Sequence, residues 1–370
     1  MLRKILAQEK AISILENSIR NERIANSYLF YGPDGVGKFT TALYFGMALN
    51  CTSTMEKRPC GLCNSCQKFL RLNHPDFLYI FPTPKLDITL MGGIKSTKTL
   101  DEFNAYLENK RTSPWKEFFF SSGTGIRIES IRQLEYKISL SPNEATTKIF
   151  IIEDADQMTV QAANAFLKTL EEPPTDSVII LTTSKPNSLV PTILSRCQQV
   201  PFQAIPKKVI ENRLLENKAL DNVDARIYAR IANGSLERAL RLADEGRIQS
   251  REQTLDLLKL VITHNDLSFL DFALNYRSSK SQNILNEIIS HLIIWITDLS
   301  YFHNDPQEII NLDKTDILET LYAMNPHVDE YAVDLISFLE DMQKKLDGHV
   351  NAELIIIEIY NRLCRILTGE

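Results

Sequence analysis

Residues 28–40, YLFYGPDGVGKFT, constrain this chain more than any other stretch. A short apolar run enters a loop holding Gly32, Gly35 and Gly37, and Lys38 opens the helix-forming TALYFGMAL. Strand, glycine loop and helix in that order fold the backbone so that successive N–H groups point at phosphate oxygens, while the lysine supplies charge for the outer phosphates. The spacing Gly32-x4-Gly37-Lys38 meets the P-loop requirement. The next position calls for a hydroxyl that holds Mg²⁺, and here it is Phe39. Thr40 comes one step late, because neighbouring helical residues point about 100° apart. The expectation is a phosphate cradle that takes ATP or ADP weakly if at all, with impaired hydrolysis.

At 370 residues, 44% apolar and 24% charged, the chain has material for two or three packed domains. The opening MLRKILAQEKAISILE is amphipathic rather than a signal segment, and residues 1–27 look helical, with Ile5, Ile12, Ile14, Leu15 and Ile19 covering one side. The most apolar late stretch, 284–302, is interrupted by Asn286, Glu287, His291 and Asp298, which argues against a membrane span. A cytoplasmic protein with no membrane partner is expected. The net charge of −6 divides unevenly: residues 251–370 carry 9 Lys and Arg against 20 Asp and Glu, and residues 1–250 carry 32 against 27. The acidic end reads either as a solvated helical surface or as a docking surface. The positive balance of the first part permits nucleic-acid contact without requiring it.

Cys51, Cys60, Cys63 and Cys66 follow the P-loop helix at C-x8-C-x2-C-x2-C. Two-residue gaps let adjacent sulfurs reach one ion, and four thiolates close a tetrahedral sphere, so the expected occupant is a structural Zn²⁺. An iron–sulfur cluster or free thiols are the alternatives, and disulfides rarely persist in a reducing compartment. Cys197 and Cys364 read as isolated buried residues. After His74-Pro75-Asp76 and a strand-like FLYIF comes a poorly patterned segment at 83–125, with Trp115, Phe118, Phe119 and Phe120 and some helix expected around 100–110. It reads as an insertion, since structureless loops of that length are unusual.

KIFIIEDADQM at 148–158 supplies a buried strand that ends in acids. ATPases of this build carry Asp then Glu there, the first in the Mg²⁺ environment and the second polarising the attacking water. Here the order is Glu153-Asp154, which displaces each carboxylate by one methylene. QAANAFLKTLEE then makes a helix stopped by Pro173-Pro174, and 178–181 a further strand. Thr182, Thr183 and Ser184 at its end either sense a γ-phosphate or cap the next turn. LVPTILSRCQQ brings Arg196 onto a short helix. Strands alternating with helices to about Phe202 imply a parallel three-layer α/β domain. From 205 onward the pattern is helical, first a small unit at 205–248 in which Gly234 separates two helices, then helices at 255–262, 284–302, 317–324, 331–345 and 352–367.

YLFYGPDGVGK, the cysteine cluster, HPD at 74–76, FLKTLEEPP at 166–174 and PTILSRC at 191–197 together resemble bacterial DNA polymerase III clamp-loader subunits, AAA+ proteins of the delta-prime and gamma/tau type. The resemblance spans almost the whole first domain and is weak over the last third. It implies an AAA+ domain at 1–203 with a zinc module at 51–66 and the insertion at 83–125, a helical lid at 204–250 and an all-α collar at 251–370. It further implies a hetero-oligomer with gamma/tau and delta subunits that places a sliding clamp on primed DNA, with Arg196 reaching a neighbour's γ-phosphate. Gly32, Gly35, Gly37, Lys38, Phe39, Thr40, Glu153, Asp154 and Thr183 would line the chain's own nucleotide site. Gamma/tau-like members have a hydroxyl after the lysine, Asp-Glu, and an arginine in GSxR. This chain has Phe39, Glu153-Asp154, and GSLER with Glu237 at that position and Arg238 one later. Those departures resemble the delta-prime type, which donates a finger without turning over ATP. The alternatives are a gamma/tau-like ATP-hydrolysing subunit and a stand-alone zinc-containing DNA-binding protein, the latter supported only by Lys57, Arg58, Lys68 and Arg71 near the thiols.

Overall fold

The structure, a computed structural model, describes residues 2, 5–85, 97–116, 118–218, 220, 222–245, 249–277, 281–302, 305–347 and 350–367. Of the expected insertion at 83–125, residues 86–96 and 117 lie outside the described residues. The chain divides into two compact units, Met1–Ile210 with Ala232–Arg241, and Glu211–Ile231 with Leu242–Glu370.

In the first unit five strands, β1 (Ser27–Tyr31), β2 (Phe77–Ile80), β3 (Lys148–Ile152), β4 (Ser177–Thr183) and β5 (Gln198–Pro201), form one sheet in the order β2-β3-β4-β1-β5. Every pairing is parallel. Parallel strands need crossovers and are covered on both faces, which is why β1, β3 and β4 read as unbroken apolar runs. Leu29, Phe150, Ile152, Ile179 and Leu181 enter one core with Ile131 and Leu134 of α5 (Ile128–Ser139) and Phe166 of α6 (Val160–Glu171). On the other face α2 (Lys38–Leu49) lies so close to β3 that a Cβ at Gly46 would press on Ile149. Because all five strands run the same way, the turns after β1, β3 and β4 emerge at one edge of the sheet.

The first helix is shorter than its apolar pattern, spanning α1 (Glu9–Arg20). Ala7 (φ 52°) and Glu22 (φ 52°) stand in the left-handed region on either side and end the helical backbone there. The remaining helices of this part are α3 (Asn64–Leu70), α4 (Thr97–Thr112), which contains the helix expected at 100–110, and α7 (Pro191–Leu194). The HPD triplet is a structural tie. The Asp76 carboxylate accepts the backbone N–H groups of Asn143 (2.6 Å), Glu144 (2.8 Å) and Ala145 (2.8 Å), fastening β2 to the approach of β3. Burial alone would raise the Asp76 pKa, but these three donors outweigh it and hold it below its ordinary value.

Beyond β5 the described residues are helical: α8 (Lys207–Lys218), α9 (Asn222–Ile231), α10 (Leu236–Glu245), α11 (Gln249–Thr263), α12 (Asp266–Leu274), α13 (Gln282–Tyr301), α14 (Thr315–Met324), α15 (Val328–Asp347) and α16 (Ala352–Leu367). Gly234 separates α9 from α10 at φ 83°, where a Cβ would also collide with Ala204. In the second unit Leu285, Ile288, Leu292, Trp295 and Leu299 of α13 share a core with Leu335 and Leu339 of α15 and Leu258 of α11. Asp298, fully buried, accepts N–H groups from Ile310 and Asn311 and the Asn311 side chain, so the apparent interruption of that helix is satisfied inside the core. Among the described residues no helix is long and apolar enough to cross a membrane.

Candidate functional site

A cavity of about 300 Å³ opens at the edge of the sheet where the turns after β1 and β3 meet. Its floor is the glycine loop. Gly35 (φ 69°) and Gly37 (φ 94°) hold left-handed backbone, and a Cβ at Gly35 would collide with Ser235 and Glu237. Gly37 caps α2 without a side-chain acceptor, and no acid occupies the first turn, so no side chain of that turn takes up the helix's N-terminal N–H donors. Lys38 Nζ donates to the carbonyls of Gly32 (2.8 Å) and Pro33 (2.6 Å) and lies 3.5 Å from Asp34 Oδ1. Thr40 joins Gly35, Gly37, Lys38 and Phe39 in the lining. Gly32 does not. It turns the chain away from β1 at φ 145°, where a Cβ would strike the Phe202 carbonyl.

The wall after β3 brings Glu153 and Asp154 into the lining. Asp154 stands at φ 50°, which turns the chain out of the strand. Its pKa is pushed up to about 7 by burial, then by Glu153, Asp34 and Asp156, with Lys110 opposing. Thr182 lines the cavity at the end of β4, and its Oγ1 accepts the Asp154 N–H at 3.4 Å. Thr183, the residue expected in the site, is outside that lining. Its hydroxyl donates to Asp156 Oδ1 at 2.5 Å and accepts the Lys185 N–H at 2.9 Å, so it caps the turn. The period-two alternation of a strand sends adjacent threonines to opposite sides.

The third wall comes from the insertion, which the sequence pattern did not join to this site. Tyr106, Asn109 and Lys110 of α4 and Pro114, Lys116 and Phe118 beyond it line the cavity. Lys110 Nζ lies 2.8 Å from Glu153 Oε1 and 4.7 Å above the Phe39 ring. Tyr79 of β2 donates its hydroxyl to Glu153 Oε2 and lies 3.1 Å from the Tyr106 hydroxyl. The Phe39 ring packs 4.7 Å from that of Tyr79. Burial would lower the Lys110 pKa, but Glu153, Tyr106 and Glu237 hold it well above its ordinary value, so the ammonium stays charged. The signal in the sequence was Phe103, Tyr106 and Lys110 at i, i+3 and i+7, one face of a helix. Glu237 completes the lining. Its N–H donates to the Gly35 carbonyl at 3.2 Å, and burial raises its carboxyl pKa, with Lys110 the chief opposing charge.

A nucleotide phosphate fits this cradle through Lys38 and the loop amides. A divalent cation does not fit. Phe39 offers a ring where a hydroxyl is required, and Glu153 already accepts from Lys110, Tyr79 and Tyr106.

Arg196 lies outside this cavity, on the surface just past the end of α7 rather than on the helix. Its guanidinium is 35% exposed, pairs with Glu171 at 2.9 Å and donates to the Thr192 carbonyl at 3.1 Å.

The four cysteines converge as their spacing predicts, with ligand atoms within 4.8 Å of one another. Cys60–Cys66 and Cys51–Cys63 sulfur pairs are each 4.0 Å apart, near the edge of roughly 3.8 Å that Zn–S bonds of about 2.3 Å give a tetrahedron. Cys63 caps α3, and the N–H groups of Leu62 and Cys63 point at Cys60 Sγ. Hydrogen bonds from Ser53, then those two amides, pull the Cys60 pKa down to about 5, which favours a thiolate ligand. Burial raises that of Cys66. The donor set fits zinc. Of the basic residues nearby, Lys68 pairs with Glu144 at 2.5 Å and Arg58 Nε donates to the Ser53 carbonyl at 2.8 Å.

Residues 7–206 match the family model described as DNA polymerase III, delta subunit. The DNA polymerase III subunit delta' of Bacillus subtilis is 30% identical over 254 residues, covering 69% of this chain and 65% of that protein. The subunit tau of the same organism is 25% identical over 364 residues, covering 92% of this chain and 57% of that protein. A DNA polymerase III gamma subunit-related protein of Thermotoga maritima aligns over 97% of this chain and 99% of its own, at 18% identity and a TM-score of 0.46. The matched stretches thus span less than two thirds of either Bacillus protein.

Proposed function

The chain belongs to the family of DNA polymerase III clamp-loader subunits, and from that premise we propose that it is a delta-prime-type member, which hydrolyses no ATP itself and presents Arg196 to ATP held by a neighbouring subunit. The observation that carries this reading is Phe39, whose ring packs on Tyr79 at the position where hydrolysis needs a metal-binding hydroxyl. Arg196 supports it from the other side. An exposed pair such as Arg196–Glu171 is worth about 0–1 kcal/mol, so a neighbour's phosphate would draw the guanidinium away at small cost.

In this reading the AAA+ module occupies residues 1–203, the lid 204–250 and the collar 251–370. The partners are gamma/tau-type and delta-type subunits, and the assembly acts in the cytoplasm on a sliding clamp and primed DNA. A zinc ion on Cys51, Cys60, Cys63 and Cys66 braces the first module and takes no part in chemistry, because four thiolates leave no open position. The test is ATP turnover by a reconstituted assembly carrying Arg196→Ala. Turnover should fall while the subunits stay associated, and unchanged turnover would refute the finger.

The broad tau match and the retained Lys38 favour a second reading, a gamma/tau-like subunit that hydrolyses ATP. Magnesium-dependent turnover that disappears on Lys38→Ala, in an assembly where this chain supplies the only P-loop, would establish it instead.

A further inference from the structure

Four carboxyl groups line the cavity, those of Asp34, Glu153, Asp154 and Glu237; Lys38 lies beside Asp34, and the cation beside Glu153 is Lys110. We propose that Lys110 is the resident cation of this site, that its ammonium takes the place of a divalent metal, and that the cavity binds no such metal while α4 is docked. The proposal deepens the reading of the pocket as a phosphate cradle without hydrolysis and rests on it.

The chemistry around Lys110 suits an ammonium and not a hard metal. Mg²⁺ requires near-octahedral oxygen ligands at about 2.0–2.1 Å. Here one Glu153 oxygen accepts from Lys110 at 2.8 Å, and the other is taken by the hydroxyls of Tyr79 and Tyr106. The remaining side is the face of Phe39, 4.7 Å from Nζ. An aromatic face attracts an organic ammonium through its quadrupole but supplies no oxygen to complete a metal's shell. Phe39 and Lys110 are therefore complementary: one removes the metal's ligand, the other brings the charge that the acids still need. Charge agrees: burial raises the pKa values of both Asp154 and Glu237, and Lys110 opposes the rise at each, with Arg241 assisting at Glu237.

Helix α4 has anchors besides that contact. Phe103 and Tyr106 stack on Phe81 at 5.2 and 4.2 Å, and Phe118 and Phe120 pack on Tyr106, each at 5.5 Å.

Mn²⁺ binding to the zinc-loaded full chain, read from the electron paramagnetic resonance of the free ion, tests this. Wild type and Lys110→Arg should show no site tighter than about 1 mM, whereas Lys110→Met should bind one Mn²⁺ at least about tenfold more tightly and lose it again when Glu153→Gln is added. Lys110→Gln is measured beside Lys110→Met, with circular dichroism to verify folding. Wild-type binding that Glu153→Gln abolishes would overturn the proposal, as would folded Lys110→Met and Lys110→Gln chains that bind no Mn²⁺. Failure here leaves the Arg196 dependence of the assembly untouched, and failure of the finger leaves Mn²⁺ binding by the isolated chain untouched, so the two readings stand or fall separately.

Discussion

Replacing a hydroxyl by a benzyl group at position 39 subtracts a metal ligand and adds an aromatic face, and both consequences are used. The subtraction was legible in the sequence, because the P-loop fixes what each of its positions must do. The addition was not, since the partners of Phe39 are Tyr79 and Lys110, 40 and 71 residues away, and no local pattern encodes such a contact. Thr182 and Thr183 were not told apart for a similar reason: neighbouring threonines look alike in sequence, and only the pleat turns Thr182 to the cavity and leaves Thr183 to cap the turn. Asp154 gives a prediction at this scale. Its folded pKa of about 7 stands above the unfolded value of about 3.9, so the folded chain keeps a proton that the unfolded chain releases between those limits. Stability contributed by this group is therefore present below about pH 4 and falls as pH rises toward 7, by at most roughly 1.4 kcal/mol per unit. Asp154→Asn removes the dependence. In denaturant titrations, wild type should lose stability relative to the variant as pH is raised through that window, and a constant difference would contradict the assignment.

Elements with strong periodicity were read correctly, and those set by single backbone positions were not. The buried strands β1, β3 and β4 and helices α5, α6, α13 and α16 follow from apolar runs or stripes. Helix α1 was overextended because nothing in the sequence marks Ala7 for positive φ. Helix α12 was passed over because Leu267, Phe269, Leu270, Phe272 and Leu274 give no clean face, although Asn265 caps it by accepting the Ser268 N–H at 3.1 Å. The cysteine module was legible outright, since ligand spacing is a local constraint. Purified chain should carry one zinc by elemental analysis. Stripping it, or substituting Cys60→Ser, should lower stability by on the order of several kcal/mol, because binding energy at such a site is folding energy. A zinc-free chain with an unchanged Tm would contradict the module's structural role.

For the whole molecule, charge set the helical end apart, with 9 Lys and Arg against 20 Asp and Glu at 251–370. The acidic helical end forms its own core around α13, and α12 leaves Leu267, Leu270 and Leu274 on its surface at i, i+3 and i+7. Neither composition nor periodicity separates the two readings of the site, because the residues that divide them are local ones, Phe39, Glu153-Asp154 and Glu237. The decisive quantity is the steady-state ATP turnover of a reconstituted clamp loader in which only this chain is altered, at Arg196→Ala. The account predicts that the turnover contributed by the neighbouring site is lost, a fall of about 10³-fold or more at that one site, with the complex intact by sedimentation; turnover equal to wild type in an intact complex would contradict it.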